Sequence, residues 1–493
     1  MDVPPRFPVL VGVGVGSPKD GDDALGVEAV ELMARAVESA IADAGAPSLA
    51  TAIEEIAVPQ GTRSYGDPAR IVAARIGSPP VRSVLVDLGI PQQSIVNDAL
   101  RSILAGARDV VVVVGGEAKG YEARARHAGA VPAITDQDEV EPVEWRRPVR
   151  GELVAPAEID ARLVVPVEQY ALMEQALRRA LGRSIDEHRD EVARLWASFN
   201  EVAQRNPRAA FPSPRTAAFL REPAPDNRPL AFPYNKWHAT QWTVDQAAAL
   251  VLCSAAAARA HGIDPERWVF PVVGLESSAA VSLSLRRDLH RWPAMEVLGR
   301  AAAAHVGRPL REIEHAELYS CFPVAVEIQQ RELQLAPDRV PTVTGGMAFA
   351  GGPFNNFVLQ STVAMVERLR ADRRSLGLVT TVSGLLTKPG LAVWSTAAPD
   401  GEPFVADLAA DAVAATPTVE SVPGYRGSAE VATYTVTYDH GEPARVIAIG
   451  DTPDGRRCVA VADDRDLAAR GTDEDLVGTD MNVDGPSFAG RAS

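Results

Sequence analysis

The stretch Gly345-Gly346-Met347-Ala348-Phe349-Ala350-Gly351-Gly352-Pro353 decides the fold of this chain. Two glycine pairs enclose four small or apolar residues and a proline follows, which predicts a tight loop ending where a helix begins. Val358, Val363 and Val366 continue with helical spacing. The apolar run from Leu376 to Val382 then predicts a buried strand. The predicted order is therefore loop, helix, strand.

The first part of the chain repeats this order. Pro91 stands where a helix begins, and the five valines from Val110 to Val114 predict a strand buried on both faces. Apolar strands at Pro8 to Val15 and at Trp268 to Leu275 open the two parts, about 260 residues apart. The repeat predicts a duplicated α/β fold, with loops of both halves meeting in one crevice at the strand ends.

Two further segments do not follow the repeat. The segment from about Tyr121 to Asn235 is rich in Pro, Arg and Glu and contains one helical stretch, Val167 to Gln204. It is predicted to be an insertion that covers one face of the crevice. Further on, Val431 to Tyr438 alternates with period two, which predicts a small antiparallel barrel. The acidic tail from Gly471 is expected to be mobile.

Three segments resemble the thiolase superfamily. The glycine-rich stretch is similar to its segment Gly-Gly-x-x-x-x-Gly-His-Pro, Thr243 to Leu252 is similar to its Asp-Gly-Ala-Ala-Ala stretch, and Glu317 to Phe322 occupies the place of its Asn-Glu-Ala-Phe loop. Asp226-Asn227-Arg228 and Gly351 to Asn356 resemble the thiolase-like protein type 1 group. The resemblance implies a duplicated thiolase fold with αβαβα layers, an inserted loop domain and a C-terminal OB-like β-barrel.

The resemblance also implies that the residues of thiolase chemistry are lost. Counting back from Gly106 places Gly89 at the position of the nucleophilic cysteine, and Gly352 stands where the superfamily has its catalytic histidine. The second cysteine falls within Thr381 to Gly384, where Ser383 stands instead. A thiolate is needed to carry the acyl group, so we expect little or no thiolase turnover. The missing side chains are expected to widen the crevice.

Three residues are candidates for catalysis. Tyr319 and Cys321 lie on a loop that faces the substrate in thiolases, and His238 falls where thiolases approach the CoA moiety. A packing role is the alternative for each: a buried cysteine is ordinarily inert, a tyrosine ring can fill the crevice wall, and a histidine can be structural.

The resemblance suggests further residues for ligand binding. The helix predicted to begin at Pro353 offers first-turn N–H groups to a thioester carbonyl, as does the helix at Pro91. Lys236 is placed to meet a phosphate of CoA, with solvent exposure as the alternative. The substrate-binding candidates are Tyr319, Asn355, Asn356, Gly352 and Lys236.

Composition limits the classes of partner. The chain has 493 residues and a formal net charge of −16, which disfavours a nucleic-acid partner. Its three cysteines have no disulfide-framework or metal spacing, so neither a metal nor a resident cofactor is expected. Without an apolar run long enough to cross a bilayer, or a signal-peptide pattern, the chain is expected to be cytoplasmic.

The first functional hypothesis is a CoA or acyl-CoA binding protein of the acetyl-CoA acetyltransferase family, active in lipid or sterol metabolism. The alternatives are an acyl-CoA carbon–carbon lyase (aldolase) using Tyr319, or a non-thiolase acyltransferase. The barrel is either an acyl-CoA lid or a docking surface, and the chain is a monomer or a homodimer. The expected domains are a first thiolase half (1–120 plus 236–265), the inserted loop domain (121–235), a second half (266–396) and the barrel with its tail (397–493).

Overall fold

The computed structural model describes residues 3–19, 21–137 and 142–490. The first part contains β1 (Pro8–Gly16), α1 (Ala29–Ala44), β2 (Glu55–Pro59), α2 (Pro68–Arg75), β3 (Arg82–Val86), α3 (Gln92–Leu104), β4 (Val110–Ala118) and α4 (Lys119–His127). Strand β1 alternates valine or leucine with glycine toward its end. A Cβ at Gly14 would overlap the backbone of Ala36, so glycine is what lets α1 pack directly on this strand.

The middle part connects the two halves. It contains β5 (Trp145–Arg147), α5 (Pro156–Asp160), α6 (Pro166–Ala180), α7 (Ile185–Ala203), α8 (Ala217–Arg221), β6 (Pro229–Ala231), β7 (Tyr234–Asn235), β8 (Asp245–Ser254) and α9 (Ala255–Ala260). The single helical stretch expected from Val167 to Gln204 is therefore two helices. Gly182 has φ of 67°, and the Ser184 side chain accepts a hydrogen bond from the Glu187 N–H, so one helix ends and a capped one begins.

The second part follows the order of the first. It contains β9 (Phe270–Glu276), α10 (Pro293–Val306), β10 (His315–Glu317), α11 (Pro323–Glu332), α12 (Phe357–Ala371), β11 (Leu376–Ser383), β12 (Lys388–Ser395), β13 (Phe404–Asp407) and α13 (Ala409–Ala415). Strand β13 pairs with β9, so the segment after residue 397 first adds a strand to this half.

Two sheets carry the duplication. The first has the order β1-β8-β4-β2-β3-β5 and the second β10-β11-β12-β9-β13. The run β1-β8-β4-β2 corresponds strand by strand to β9-β12-β11-β10. Helices α3 and α12 lie between the sheets, α1 and α2 cover the outer face of the first, and α10 and α11 cover that of the second. The expected duplicated α/β fold with αβαβα layers is confirmed.

A buried carboxylate joins the two halves. The Glu276 side chain, at the end of β9, is fully buried and accepts hydrogen bonds from Ser94 and Asn97 of α3. It also forms ion pairs with Arg101 of α3 at 3.0 Å and with Arg147 of β5 at 3.1 Å. Four donors compensate for the desolvation of this charge, and they fix α3 and β5 relative to the second sheet.

The C-terminal strands form a closed barrel. They are β14 (Arg426–Asp439), β15 (Glu442–Asp451), β16 (Arg457–Ala462), β17 (Asp480–Asp484) and β18 (Ser487–Gly490), with α14 (Arg465–Asp473) between β16 and β17. Pairing follows the closed order β14-β15-β16-β18-β17-β14. This is the five-stranded strand order of an OB-fold, so the expected OB-like barrel is confirmed. The tail was expected to be mobile, but its residues 471–490 form the end of α14 and the barrel strands β17 and β18.

The barrel is bonded to the middle part. Ala231 of β6 pairs with Thr437 of β14, which extends the barrel sheet into β6 and β7. On the same face of β14, the hydroxyl of Thr433 donates to the Leu172 carbonyl and that of Thr435 donates to the Phe232 carbonyl. The predicted alternation therefore has a specific use: threonines contact the insertion, while the intervening residues fill the barrel core.

Within the described residues, no helix is both long and apolar enough to span a lipid bilayer.

The Glu276 network generates a prediction about stability. Glu276→Ala leaves the guanidinium groups of Arg101 and Arg147 without this carboxylate, so we expect a loss of about 3 kcal/mol in free energy of unfolding. Asp484→Ala is the matched control, since its pair with Arg426 is exposed, and should change stability by less than about 1 kcal/mol. Chemical denaturation midpoints measure both. Equal effects of the two substitutions would contradict the assigned role of Glu276.

Candidate active site

The glycine-rich stretch forms the loop before α12. Gly345, Gly346 and Gly351 have φ between 75° and 98°, which glycine adopts without strain. The buried carboxylate of Glu317 accepts the N–H groups of Val343 at 2.6 Å and Thr344 at 2.9 Å, and so holds the chain entering the loop. Burial raises the pKa of Glu317 to about 7, and its hydrogen bonds oppose that shift.

Gly89, expected at the position of the nucleophilic cysteine, lies between β3 and α3. Its φ of 91° favours glycine. A Cβ at this position would lie 3.0 Å from Val149 and 3.9 Å from Leu153, both in the segment that follows β5. Residues of the insertion therefore occupy the space in which a side chain at residue 89 would stand.

Gly352, expected at the histidine position, is equally enclosed. A Cβ at Gly352 would overlap the methyl group of Thr240 and lie 3.2 Å from Met347. The Gly352 N–H donates to the Gln241 carbonyl at 2.9 Å, which fixes the loop against that segment. A histidine does not fit here unless its neighbours move.

Ser383, expected at the second cysteine position, ends β11 in a tight hairpin with β12. The next three residues, Gly384, Leu385 and Leu386, have φ of 61°, 62° and 57°. For the two leucines this is a strained conformation, and such strain concentrates at functional sites. Leu153 lies 2.5 Å from where a Cβ on Gly384 would stand.

The expectation of a widened crevice is therefore wrong. Val149 and Leu153 fill the space beside Gly89 and Gly384, and Thr240 fills the space beside Gly352. Protein interiors are close-packed, so the space beside these glycines is occupied by neighbouring side chains.

Tyr319 and Cys321 lie together at this site. The Tyr319 ring is half-buried, 5.9 Å from the ring of Phe357, and no described residue is hydrogen-bonded to its hydroxyl. Burial raises the pKa of Tyr319, which keeps the phenol protonated. Burial also raises the pKa of Cys321 to about 12, so its sulfur stays a thiol. The geometry favours the packing role for Cys321 and leaves Tyr319 as a hydrogen-bond donor.

The two asparagines have different positions from those expected. Helix α12 begins at Phe357, not at Pro353, with Asn356 as its N-cap. The Asn355 amide donates to the Gln60 carbonyl at 2.9 Å, which makes it a structural contact. Asn356 is 1% exposed, and neither its oxygen nor its nitrogen has a partner among the described residues. An unpaired buried amide is unusual in a folded protein, so Asn356 stays a candidate for ligand binding.

The N–H groups at the start of α12 are partly used. The Val358 N–H donates to the Gln92 side chain at 2.9 Å, which joins the first turns of α12 and α3. The helix end expected to offer free donors to a thioester carbonyl therefore has at least one donor already paired.

His238 and Lys236 have different surroundings. His238 is 2% exposed, and its Nδ1 accepts the Asn235 N–H at 3.0 Å. Burial lowers the pKa of His238 to about 3, so the ring is neutral and enclosed, and the role of base is not supported. The Lys236 ammonium lies 5.1 Å from the centroid of the Trp237 ring, a cation–π contact.

Lys388 lies at this site and is not among the residues that the sequence predicted for it. This lysine begins β12, is 2% exposed and pairs with Ser383 across the hairpin. Its ammonium donates to the carbonyl of Gly89 at 3.2 Å and to that of Arg150 at 2.7 Å. Burial lowers its pKa. The sequence signal for this residue is a lone lysine at the start of the apolar run Lys388–Ser395. Its position next to Gly89 results from the hairpin and is not visible in the sequence.

A second polar cluster joins Glu174 of α6 and His188 of α7, in the insertion, to Glu327 of α11. His188 Nε2 is 2.6 Å from Glu174 Oε1, and its Nδ1 is 3.3 Å from the Arg183 guanidinium. Burial raises the pKa of Glu327 to about 8. Because Arg183 supplies the positive charge and both ring nitrogens have partners, the cluster is arranged as a hydrogen-bond network and does not suit a divalent cation.

Comparison with known proteins agrees with this architecture. Residues 408–485 match the family described as thiolase-like protein type 1 additional C-terminal domain. A monomeric SCP2-thiolase like protein type 1 from Mycobacterium smegmatis is similar over 99% of this chain and 100% of its own, with 28% identity and a TM-score of 0.83. No curated protein sequence matches.

Two further solved structures share the fold. The Ltp2-ChsH2(DUF35) aldolase has a TM-score of 0.59 and 19% identity, covering 80% of this chain and 99% of that one. The acetyl-CoA acetyltransferase from Syntrophomonas wolfei has a TM-score of 0.54 and 17% identity, covering 79% and 99%. At these identities the likeness concerns the fold alone.

The packing at Gly352 predicts that a histidine does not fit at this position without displacing its neighbours. In Gly352→His the imidazole must displace Thr240 and Met347, so we expect the free energy of unfolding to fall by about 1–3 kcal/mol. Gly401→His is the matched control: no atom lies within 4 Å of a Cβ there. Thermal and chemical denaturation compare the variants. A Gly352→His protein as stable as the parent would contradict the filled crevice.

The neutral His238 predicts a pH dependence. Between pH 6.5 and about 3 the unfolded chain binds a proton at this ring and the folded chain does not. Stability from His238 is therefore present above pH 6.5 and is lost as the pH falls, at about 1.4 kcal/mol per unit. His238→Asn keeps an acceptor for the Asn235 N–H and should flatten the slope by that amount between pH 6 and 4. His440→Asn, on a ring 96% exposed, should leave the slope unchanged.

Proposed function

Because this chain has the thiolase-like protein type 1 architecture with its additional C-terminal domain, we propose that it binds the thioester part of an acyl-CoA and has little or no thiolase turnover. The proposed ligand is CoA or an acyl-CoA, with no resident cofactor or metal. The proposed setting is lipid or sterol metabolism in the cytoplasm. We propose that the chain works as a monomer, the state given in the description of the mycobacterial protein.

One observation carries the proposal against turnover. At Gly89, Gly352 and Ser383 there is no thiol or imidazole, and neighbouring side chains fill the space at the two glycines. Covalent acyl transfer needs a nucleophile and a base that generates it. Cys321 does not replace them, because burial keeps its sulfur protonated and Tyr170, its neighbour, is also buried with a raised pKa.

The remaining polar groups support binding. The Asn356 amide has no partner among the described residues. The Tyr319 ring packs against Phe357, and no described hydrogen bond involves the Tyr319 hydroxyl. A carbonyl oxygen accepts hydrogen bonds from groups of this kind. Displacing solvent from such donors favours a ligand that supplies matching acceptors, which a thioester does.

The carbon–carbon lyase alternative needs a tyrosine that removes a proton. The raised pKa of Tyr319 opposes that role, since the phenolate is disfavoured by burial. Tyr319 is better suited to donate a hydrogen bond or a proton to a ligand oxygen. A non-thiolase acyltransferase would need an acceptor that attacks the thioester directly. Binding without turnover therefore remains the first proposal.

Titration calorimetry of the protein with CoA, acetyl-CoA and a sterol acyl-CoA tests the proposal. We expect saturable binding of the thioesters, and in Tyr319→Phe about a tenfold weaker affinity, because one hydrogen bond is lost. Tyr425→Phe is the control, since that hydroxyl donates to Ser428 in the barrel.

Two results would overturn the proposal. Absence of binding by all three ligands would remove the thioester assignment. Release of a smaller product from an acyl-CoA, abolished in Tyr319→Phe, would establish the lyase instead.

A further inference from the structure

Lys388 is a buried ammonium group without a counter-ion. It is 2% exposed, and among the described residues no carboxylate pairs with it. Its two acceptors are neutral backbone carbonyls, those of Gly89 and Arg150. Buried lysines are ordinarily paired with a charge, and unpaired ones with a lowered pKa occur preferentially at functional sites.

One of the two acceptors belongs to a segment with few other attachments. We call residues 148–153, between β5 and α5, the strap. Among the described hydrogen bonds, the only one made by the strap is that from Lys388 to the Arg150 carbonyl. On either side of this bond, Val149 lies over Gly89 and Leu153 lies over Gly384. The strap therefore covers Gly89, at the expected position of the nucleophile, and Gly384, next to Ser383 at the expected position of the second cysteine.

The surroundings leave room for the strap to move. Val149 is 40% exposed, so one side of the strap faces solvent. A cavity of about 370 Å³ adjoins it, lined among others by Glu152, Ala155, Ala280 and Ser421. A segment with few hydrogen bonds, next to open volume, belongs to the least stable part of a fold and opens at low cost.

We propose that the strap is a lid, and that Lys388 is the residue that binds the carbonyl oxygen of a thioester when the lid opens. In the closed state the Arg150 carbonyl takes the place of the ligand carbonyl. One neutral acceptor replaces another, so the ammonium keeps its hydrogen bonds throughout. The nature of the ligand rests on the proposed function; the lid does not.

The geometry distinguishes this role from simple packing. A purely structural lysine would be covered by a segment that is held in place by other hydrogen bonds. Here the covering segment is the strap, and its one described hydrogen bond comes from Lys388 itself. Lys388 also stands beside Gly89 and Ser383, so a ligand entering between those positions meets the ammonium first. Because burial lowers the pKa of Lys388, its amine reacts readily with a labelling reagent once it is exposed, and the labelling rate measures that exposure.

Reductive dimethylation of the full chain with formaldehyde and cyanoborohydride, read by mass spectrometry at Lys388, tests the lid. The double variant Val149→Ala, Leu153→Ala loosens the strap, and we expect Lys388 to be labelled at least about tenfold faster than in the parent. Lys119, paired with Glu122 on α4, is the internal reference and should be labelled equally in both. An unchanged rate at Lys388 overturns the lid, whatever the ligand.

Acetyl-CoA then tests the ligand role. In the double variant, saturating acetyl-CoA should slow labelling of Lys388, and affinity should exceed that of the parent because less work is needed to open the strap. Lys388→Met should weaken binding about tenfold. Faster labelling without protection by acetyl-CoA supports the lid and overturns the binding role. If no variant binds acetyl-CoA, the proposed function and the ligand role both fail, and the labelling rate alone still decides the lid.

Discussion

The buried carboxylate of Glu276 is the interaction on which the rest of the site depends. It receives donors from α3 and from Arg147 of β5, and its own strand pairs with β12 opposite Gly390. These elements position one part of the site: α3 follows Gly89, β5 leads into the strap, and β12 begins at Lys388. A single charge with four donors sets the distances among three segments that are far apart in sequence.

The site is closely packed around its glycines. Glycine at residues 89 and 352 did not leave empty space, because Val149 and Thr240 occupy it. A void costs free energy in proportion to its volume, so neighbours that fill it are favoured. Side chains of neighbouring segments therefore pack against both glycines and contribute to the stability of the folded chain.

The fold could be read from the sequence because its signals are local. The Val110 to Val114 run and the period-two pattern of Val431 to Tyr438 each specify a strand on their own, and the spacing of the repeat specifies the duplication. The candidate site was read less well. Val149 contacts Gly89 from 60 positions away, and Lys388 reaches Gly89 from 299 positions away. No local pattern in the sequence specifies either contact. Helix α12 begins four residues later than Pro353 suggests because Asn356, not the proline, is its cap.

The pairing of β6 with β14 has a consequence for biosynthesis. Because synthesis starts at the N-terminus, β6 emerges from the ribosome about 200 residues before its partner β14. Domains fold in the same order. Until β14 arrives, the backbone edge at Ala231 and the aromatic ring of Phe232, which is 5% exposed in the finished protein, face solvent. The nascent chain therefore carries an open strand edge for most of the second half of its translation, and only the last domain closes it.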